Sequence, residues 1–397
     1  MRQYLSRRIE QLAGAVSFVT GWVCRKLGLE LLTFGSLITR IEGFPMNRVL
    51  LASVFAFISS LAVAQQPVPE IRFDASIDVL KLPAGVNFGE VAGIAIDGRR
   101  HVYAFSRTGT RSTLHGQSSA QLFEFGPDGA FIREIGKDLY GFAFAHTVRI
   151  DRDGNLWATD EGTNMIIKFS PAGRVLMVLG RRAEAVEGEP PPPPEGQRPR
   201  PGWGTFNRPT DVAFDLNGNV FVADGYNNSR VVKIDKNGRW LKTWGTYGRD
   251  TGQFNLLHSI ANDAKGNIYV ADRSNRRIQV FDPEGKFLRM FTIDVPYTKD
   301  VNIMAGGAPG PNSLSVSGAP WAICITPGPT QYLFSADAVP GRIYKLTLDG
   351  KVVGVLGDAG KEIKQFGWIH QIACPSEHEL YVAELLNWRV QKLTLKP

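Results

Sequence analysis

Residues 206–224 read FNRPTDVAFDLNGNVFVAD and residues 254–272 read FNLLHSIANDAKGNIYVAD. Each stretch has an aromatic residue four positions before an anchor, then an apolar strand, a polar turn and a second apolar strand ending in an acid. The plan returns at 142–160 as FAFAHTVRIDRDGNLWATD and at 366–384 as FGWIHQIACPSEHELYVAE. Looser copies stand at 88–107, FGEVAGIAIDGRRHVYAFSR, and at 321–337, WAICITPGPTQYLFSAD. Self-similarity repeated along a chain marks a repeat architecture. The anchors are Ala92, His146, Thr210, His258, Trp321 and His370.

Most copies continue into a further strand and turn, as in RVVKIDKNG from Arg230, RIQVFDPEG from Arg277 and RIYKLTLDG from Arg342, while the last ends in RVQKL from Arg389. Alternating β-branched and aromatic residues bounded by Asn-Gly, Glu-Gly and Asp-Gly turns predict short antiparallel strands. Four strands per copy make one propeller blade, and six blades close without exposed sheet edges. The fold expected is therefore an all-β, six-bladed propeller. Residues 69–83, PEIRFDASIDVLKLP, precede the first blade, so an N-terminal strand is expected to complete the last blade and close the ring.

Ahead of the repeats, MNRVLLASVFAFISSLAVAQQ from Met46 has a charged start, a short apolar core and a small-x-small cleavage site at Ala62-Val63-Ala64. That pattern predicts a signal peptide over 46–64 and an exported protein, periplasmic or secreted, with no stable membrane insertion after cleavage. Residues 1–45 read as an over-extended reading frame or a long n-region, leaving 65–397 as the propeller. Of the chain's net +7, residues 1–64 account for seven basic against three acidic side chains, so the mature domain is near +3. Its basic residues are scattered among turns, which gives nucleic-acid binding no support. Cys24 lies in the removed segment, and Cys324 and Cys374, three and four residues after their anchors, read as two buried thiols facing opposite sides of neighbouring blades. A proline-rich insert, AVEGEPPPPPEGQRPRPGWG at 185–204, separates blades two and three and reads as a stiff solvated loop near a channel rim.

A repeat carries its own control. Features present in every blade belong to architecture, and features confined to some blades are candidates for function. Asp160, Asp224, Asp272 and Glu384 lie fourteen residues after their anchors in blades with and without histidine, and read as acceptors for backbone groups. Arg230, Arg277, Arg342 and Arg389 read as their partners. The Asp-x-x-Gly-Asn turn at Asp151 and the related turns at Asp215 and Asp263 fit hairpins better than calcium loops, which need more carboxylates.

The histidines break the pattern. His146, His258 and His370 occupy only alternate anchors and stand 112 residues apart each time. In a six-bladed ring that spacing points three imidazoles at the axis, the donor set of a zinc site with an open fourth position. His101, His115 and His378 fall off this column and read as surface residues. Beside the column lie Arg107 in blade one, Arg273 after Asp272, and Tyr226 after Asp224-Gly225. A phenol near a metal and two guanidiniums is expected to have a lowered pKa and to act as a base, while arginine offers a bidentate grip on a carboxylate.

The run FNRPTDVAFDLNGNVFVADGYNNSRVVKI, the Phe-x-x-x-His anchors and VADRSNRRIQVF resemble the NHL-repeat propellers of peptidyl-α-hydroxyglycine α-amidating lyase from Phe88 to the C-terminus. The resemblance implies zinc on His146, His258 and His370, Tyr226 as base, and Arg107 and Arg273 near the substrate carboxylate and the reacting centre. It implies cleavage of the N–Cα bond of a small or peptidyl α-hydroxyglycine amide to an amide and glyoxylate. Animal members follow the third histidine with an aspartate linked to a structural calcium, whereas Gln371 stands here and speaks against calcium. They carry methionine where this chain has Trp368, and a cysteine where Asn227 follows Tyr226. The competing readings are a non-catalytic NHL propeller holding a protein partner on one face and, more weakly, a calcium-dependent propeller lactonase.

Overall fold

Every glycine-punctuated turn in the repeat returns the chain antiparallel to itself, and the computed structural model shows the result as six four-stranded sheets. It describes residues 68–108, 120–182, 202–297 and 317–396. The expected extension 1–45, the signal peptide, Cys24, His115 and all but the last three residues of the insert lie outside the described residues.

The innermost strands are Glu90–Ile96, Ala145–Ile150, Asp211–Phe214, Leu257–Asn262, Ala322–Ile325 and Ile369–Ser376. Consecutive innermost strands touch all the way round, from blade six back to blade one. The N-terminal strand Phe73–Ser76 pairs antiparallel with Arg389–Leu395, Phe73 opposite Leu395 and Ser76 opposite Lys392. It is the outermost strand of blade six, so the two ends of the domain share one sheet and the ring closes as the sequence predicts.

The core lies between blades. The aromatics that open the copies, Phe142, Phe206, Phe254 and Phe366, are all buried. Phe142 meets Phe105 of blade one at 4.8 Å between ring centres, and Phe254 meets Phe281 at 5.7 Å. The recurring acids are also architectural. Asp224 binds Arg230 at 2.9 Å, Asp272 binds Arg277 at 2.7 Å and Glu384 binds Arg389 at 2.8 Å. Each also accepts a backbone N–H seventeen residues earlier, from Asn207, Asn255 and Gly367. In blade one Ser106 takes over that task for Gly89. Blade five departs from the expected pairing: Arg342 spends its guanidinium on the carbonyls of Val295 and Pro296 and on Ser317, while Asp337 receives the Tyr344 hydroxyl at 2.6 Å.

The cysteines correct the sequence reading, because Cys324 and Cys374 form a disulfide with 6.1 Å between Cα atoms. Their opposite parity is what the bond requires. Equivalent positions in two neighbouring blades point the same way around the ring, so side chains that meet must come from positions of opposite parity. Ala322 and Cys324 on one strand accordingly pack in the same cluster as Ile372 and Cys374 on the next. Replacing Cys374 with serine is expected to remove about 2–4 kcal/mol of stability. Thermal denaturation should register this as a melting temperature several degrees lower, with an unchanged circular-dichroism spectrum.

Candidate metal centre and active site

The three histidines are placed by a backbone irregularity. In blades one, two, four and six the ladder between the two innermost strands skips one residue, between Val91 and Gly93, Ala145 and Thr147, Leu257 and Ser259, and Ile369 and Gln371. The skipped residues are Ala92, His146, His258 and His370. A bulge leaves its extra residue unpaired and re-aims its side chain, which here turns the imidazoles out of the sheet and toward the axis. Their ring centres lie 4.8, 4.5 and 5.0 Å apart, and one ligand atom from each falls within 4.8 Å of the others.

The odd blades complete the arrangement. His258 donates from Nδ1 to the carbonyl of Trp321 at 2.6 Å, and His370 donates from Nδ1 to the carbonyl of Ala92 at 2.7 Å. Both acceptors are anchors of the next blade. His146 faces the matching anchor, Thr210, whose backbone favours its protonated ring, but in looser geometry that leaves both ring nitrogens without a well-formed hydrogen bond. A proton fixed on Nδ1 leaves the Nε2 lone pair available to a metal. All three rings are buried. Burial holds their pKa values well below the ordinary histidine range, to about 3 for His370; the Arg273 guanidinium pushes all three the same way, and Arg107 does so for His146 and His370. They are therefore neutral at pH 7, as ligation demands. Three nitrogens within 4.8 Å of one another lie within about 2.8 Å of a common centre, so closing to the roughly 2.0–2.1 Å of zinc–imidazole bonds needs a shift under about 1 Å. The donor set fits the ion.

A cavity of about 400 Å³ opens above His370, lined by Glu90, Arg107, Phe144, Glu161, Arg208, Tyr226, Arg273, Trp321, Trp368 and Leu385. All three residues expected beside the metal are there. The Tyr226 hydroxyl is 3.3 Å from His258 Nε2. Gly225 matters through close approach rather than by freeing a bend: a Cβ there would stand 1.8 Å from the Leu257 carbonyl oxygen. In the chain without a metal, burial pushes the Tyr226 phenol up and Glu161 adds to that push, while Arg273, Arg107 and Arg208 oppose it in the expected direction. Arg107 donates to Glu90 at 2.8 Å and to the Ala145 carbonyl at 2.9 Å. Arg273 is only 2% exposed, lies 3.8 Å over the Trp321 ring and hydrogen-bonds Tyr226, and its Nε and Nη1 have no hydrogen-bond partner among the described residues.

Two residues were missed in the sequence. Glu161, 3% exposed, accepts two hydrogen bonds from Arg208, whose guanidinium stacks 4.5 Å over the Tyr226 ring. The signal was available, because Arg107, Glu161 and Arg273 all hold the position just after the acid column, or after Ser106 in its place. Of the histidines set aside, His378 is exposed, whereas His101 is half-buried and bonded to Glu124 at 2.9 Å. Gln371 spans the channel: its oxygen accepts from Ile94 and Val148 N–H, and its nitrogen donates to the Val148 carbonyl. Farther down, Arg149 pairs with Asp211.

The NHL-repeat family model matches residues 206–234 and 254–281. Over 325 residues the chain is 30% identical to peptidyl-glycine α-amidating monooxygenase A of Xenopus laevis, covering 76% of this chain and 31% of that protein. Over 210 residues it is 31% identical to a probable peptidyl-α-hydroxyglycine α-amidating lyase of Caenorhabditis elegans, covering 49% of this chain and 55% of that protein. The chain thus spans between about a third and about half of the length of these relatives. A solved structure, a protein of unknown function from Bacteroides thetaiotaomicron, superposes with a TM-score of 0.53 at 14% identity over 82% of this chain and 77% of that one, which speaks to the fold.

Proposed function

This NHL-repeat propeller is related to the peptidyl-α-hydroxyglycine α-amidating lyases, and from that premise we propose that it is a zinc-dependent lyase that splits the N–Cα bond of an α-hydroxyglycine amide. The observation that carries the reading is the convergence around one cavity of three buried, neutral imidazoles, Tyr226, and an Arg273 with two unpartnered guanidinium nitrogens. Zinc held by His146, His258 and His370 would supply a Lewis acid for the substrate's hydroxyl and a positive charge that opposes the upward push of burial on the Tyr226 phenol.

The remaining roles follow from the chain's own groups. Arg107 and Arg208 already hold Glu90 and Glu161, so Arg273 is the guanidinium left to grip a substrate carboxylate. Its stacking on Trp321 fixes the plane of that grip. Tyr226 stands where it can take the hydroxyl proton and return one to the departing amide nitrogen, so that the C–N electron pair leaves as neutral amide and the carbon becomes the aldehyde of glyoxylate. Trp321, Trp368 and Phe144 wall the cavity against water.

Metal-loaded protein incubated with an N-acyl α-hydroxyglycine tests the reading through glyoxylate release. No release above a Tyr226→Phe control would refute the lyase assignment. Replacing Arg273 with lysine is expected to lower kcat/KM by about 10- to 100-fold, from about 1.5–3 kcal/mol per hydrogen bond between charged groups. Most of the loss should appear in KM, and steady-state kinetics at varied substrate separates the two. Export is part of the proposal: the Cys324–Cys374 bridge suits an oxidising compartment, as does the signal-like segment from Met46.

A further inference from the structure

We propose that Glu161 is the fourth protein ligand of the metal when no substrate is bound. The proposal rests on the metal reading above but not on the lyase activity. Glu161 holds the position after the acid column in blade two, directly above His146, and is 3% exposed. Both hydrogen bonds from Arg208 go to Oε1. Neither goes to Oε2, and Glu161 lines the cavity, which leaves that oxygen available to a cation.

That oxygen stands 3.8 Å from His146 Nε2. The separation is too long for a hydrogen bond. It is close to the roughly 3.3–3.5 Å between two ligands that share one tetrahedral ion at bond lengths near 2.0–2.2 Å. His146 is also the one histidine of the three without a well-formed hydrogen bond at either ring nitrogen, so the least constrained imidazole and the available carboxylate oxygen face each other. The equivalent positions in the other blades are Arg107, Gly225, Arg273, Ala338 and Leu385, none of which offers an anionic donor. The Glu161 carboxylate, set among the guanidiniums of this cavity, would also offset the charge of a divalent cation. In this arrangement the resting ion is closed, and an incoming oxygen ligand must compete with Glu161 for its place.

Three measurements test this. Metal analysis of the purified wild-type chain comes first, and a chain that keeps no metal overturns the metal reading and this proposal together. Cobalt-substituted wild type and Glu161→Gln are then compared by visible absorption and by azide titration. The expected result is a changed ligand-field spectrum in Glu161→Gln and azide binding at least about tenfold tighter. Arg208→Met, which removes the partner and leaves the carboxylate, should keep the wild-type spectrum, and this guards against a general disturbance of the cavity. A metal-bearing Glu161→Gln protein with the wild-type spectrum and azide affinity would sink the proposal and reduce Glu161 to the ion-pair partner of Arg208.

Discussion

A His258→Ala variant is expected to lose its metal and, with it, at least about a thousandfold of glyoxylate-forming activity while remaining folded. Two imidazoles, with at most the Glu161 carboxylate that an incoming substrate must displace, do not make the three-ligand site that leaves one catalytic position open. The fold should survive because His258 is the extra residue of a bulge, outside the ladder that joins its strand to the next. The substitution takes away the hydrogen bond from Nδ1 to the Trp321 carbonyl and the Nε2 partner of the Tyr226 hydroxyl, and leaves the strand pairing intact. Metal analysis, circular dichroism and a glyoxylate assay on the same preparation decide the matter. A folded variant that keeps one zinc per chain, or that works within tenfold of wild type, would show that the histidine column is not the reacting centre.

Tyr226→Phe should give the complementary result, with metal content unchanged and turnover reduced by about 10²- to 10⁴-fold, the usual weight of a positioned proton-transfer group. The phenyl ring retains the stacking under Arg208 and the edge contact with His146, 5.7 Å between ring centres, so the cavity keeps its shape. What disappears is the hydroxyl 3.3 Å from His258 Nε2. The loss is expected in kcat with little movement of KM, since the phenyl ring still occupies the binding wall. A Tyr226→Phe enzyme that loses affinity and keeps its turnover would assign the tyrosine to binding.

The ring, the blade count, the closing N-terminal strand and the histidine column were legible because a repeat displays its own exceptions. A residue that occupies the anchor in three blades of six stands out against the other three without any outside reference. The bulges were not legible, since a bulge is an extra residue between strands whose pairing the sequence does not display. Yet they explain why the anchor side chains leave the sheet. Glu161 escaped notice because it directly follows Asp160, an acid that belongs to the recurring architectural column. Only the register shows that the first is consumed by the Ala143, Phe144 and Thr163 backbone while the second faces His146. The cysteine pair was misread for a geometric reason: parity compared along separate strands gives the opposite answer from parity compared across neighbouring faces of a ring. The push of burial on the Tyr226 phenol, which opposes the guanidiniums, was not legible because it is invisible until the cavity is built.

The hydrogen bond from His370 to Ala92 crosses the seam where the last blade meets the first. Of the three ligands, one is therefore oriented by a carbonyl that reaches it only after nearly the whole chain has been laid down. On the metal reading proposed above, a complete three-histidine set needs this seam to be made, so metal uptake would report on closure of the ring. An intermediate with blades one to five in place would hold two histidines and no competent site. On the same reading, metal retention would be a sensitive assay for any change that loosens the N-terminal strand far from the axis.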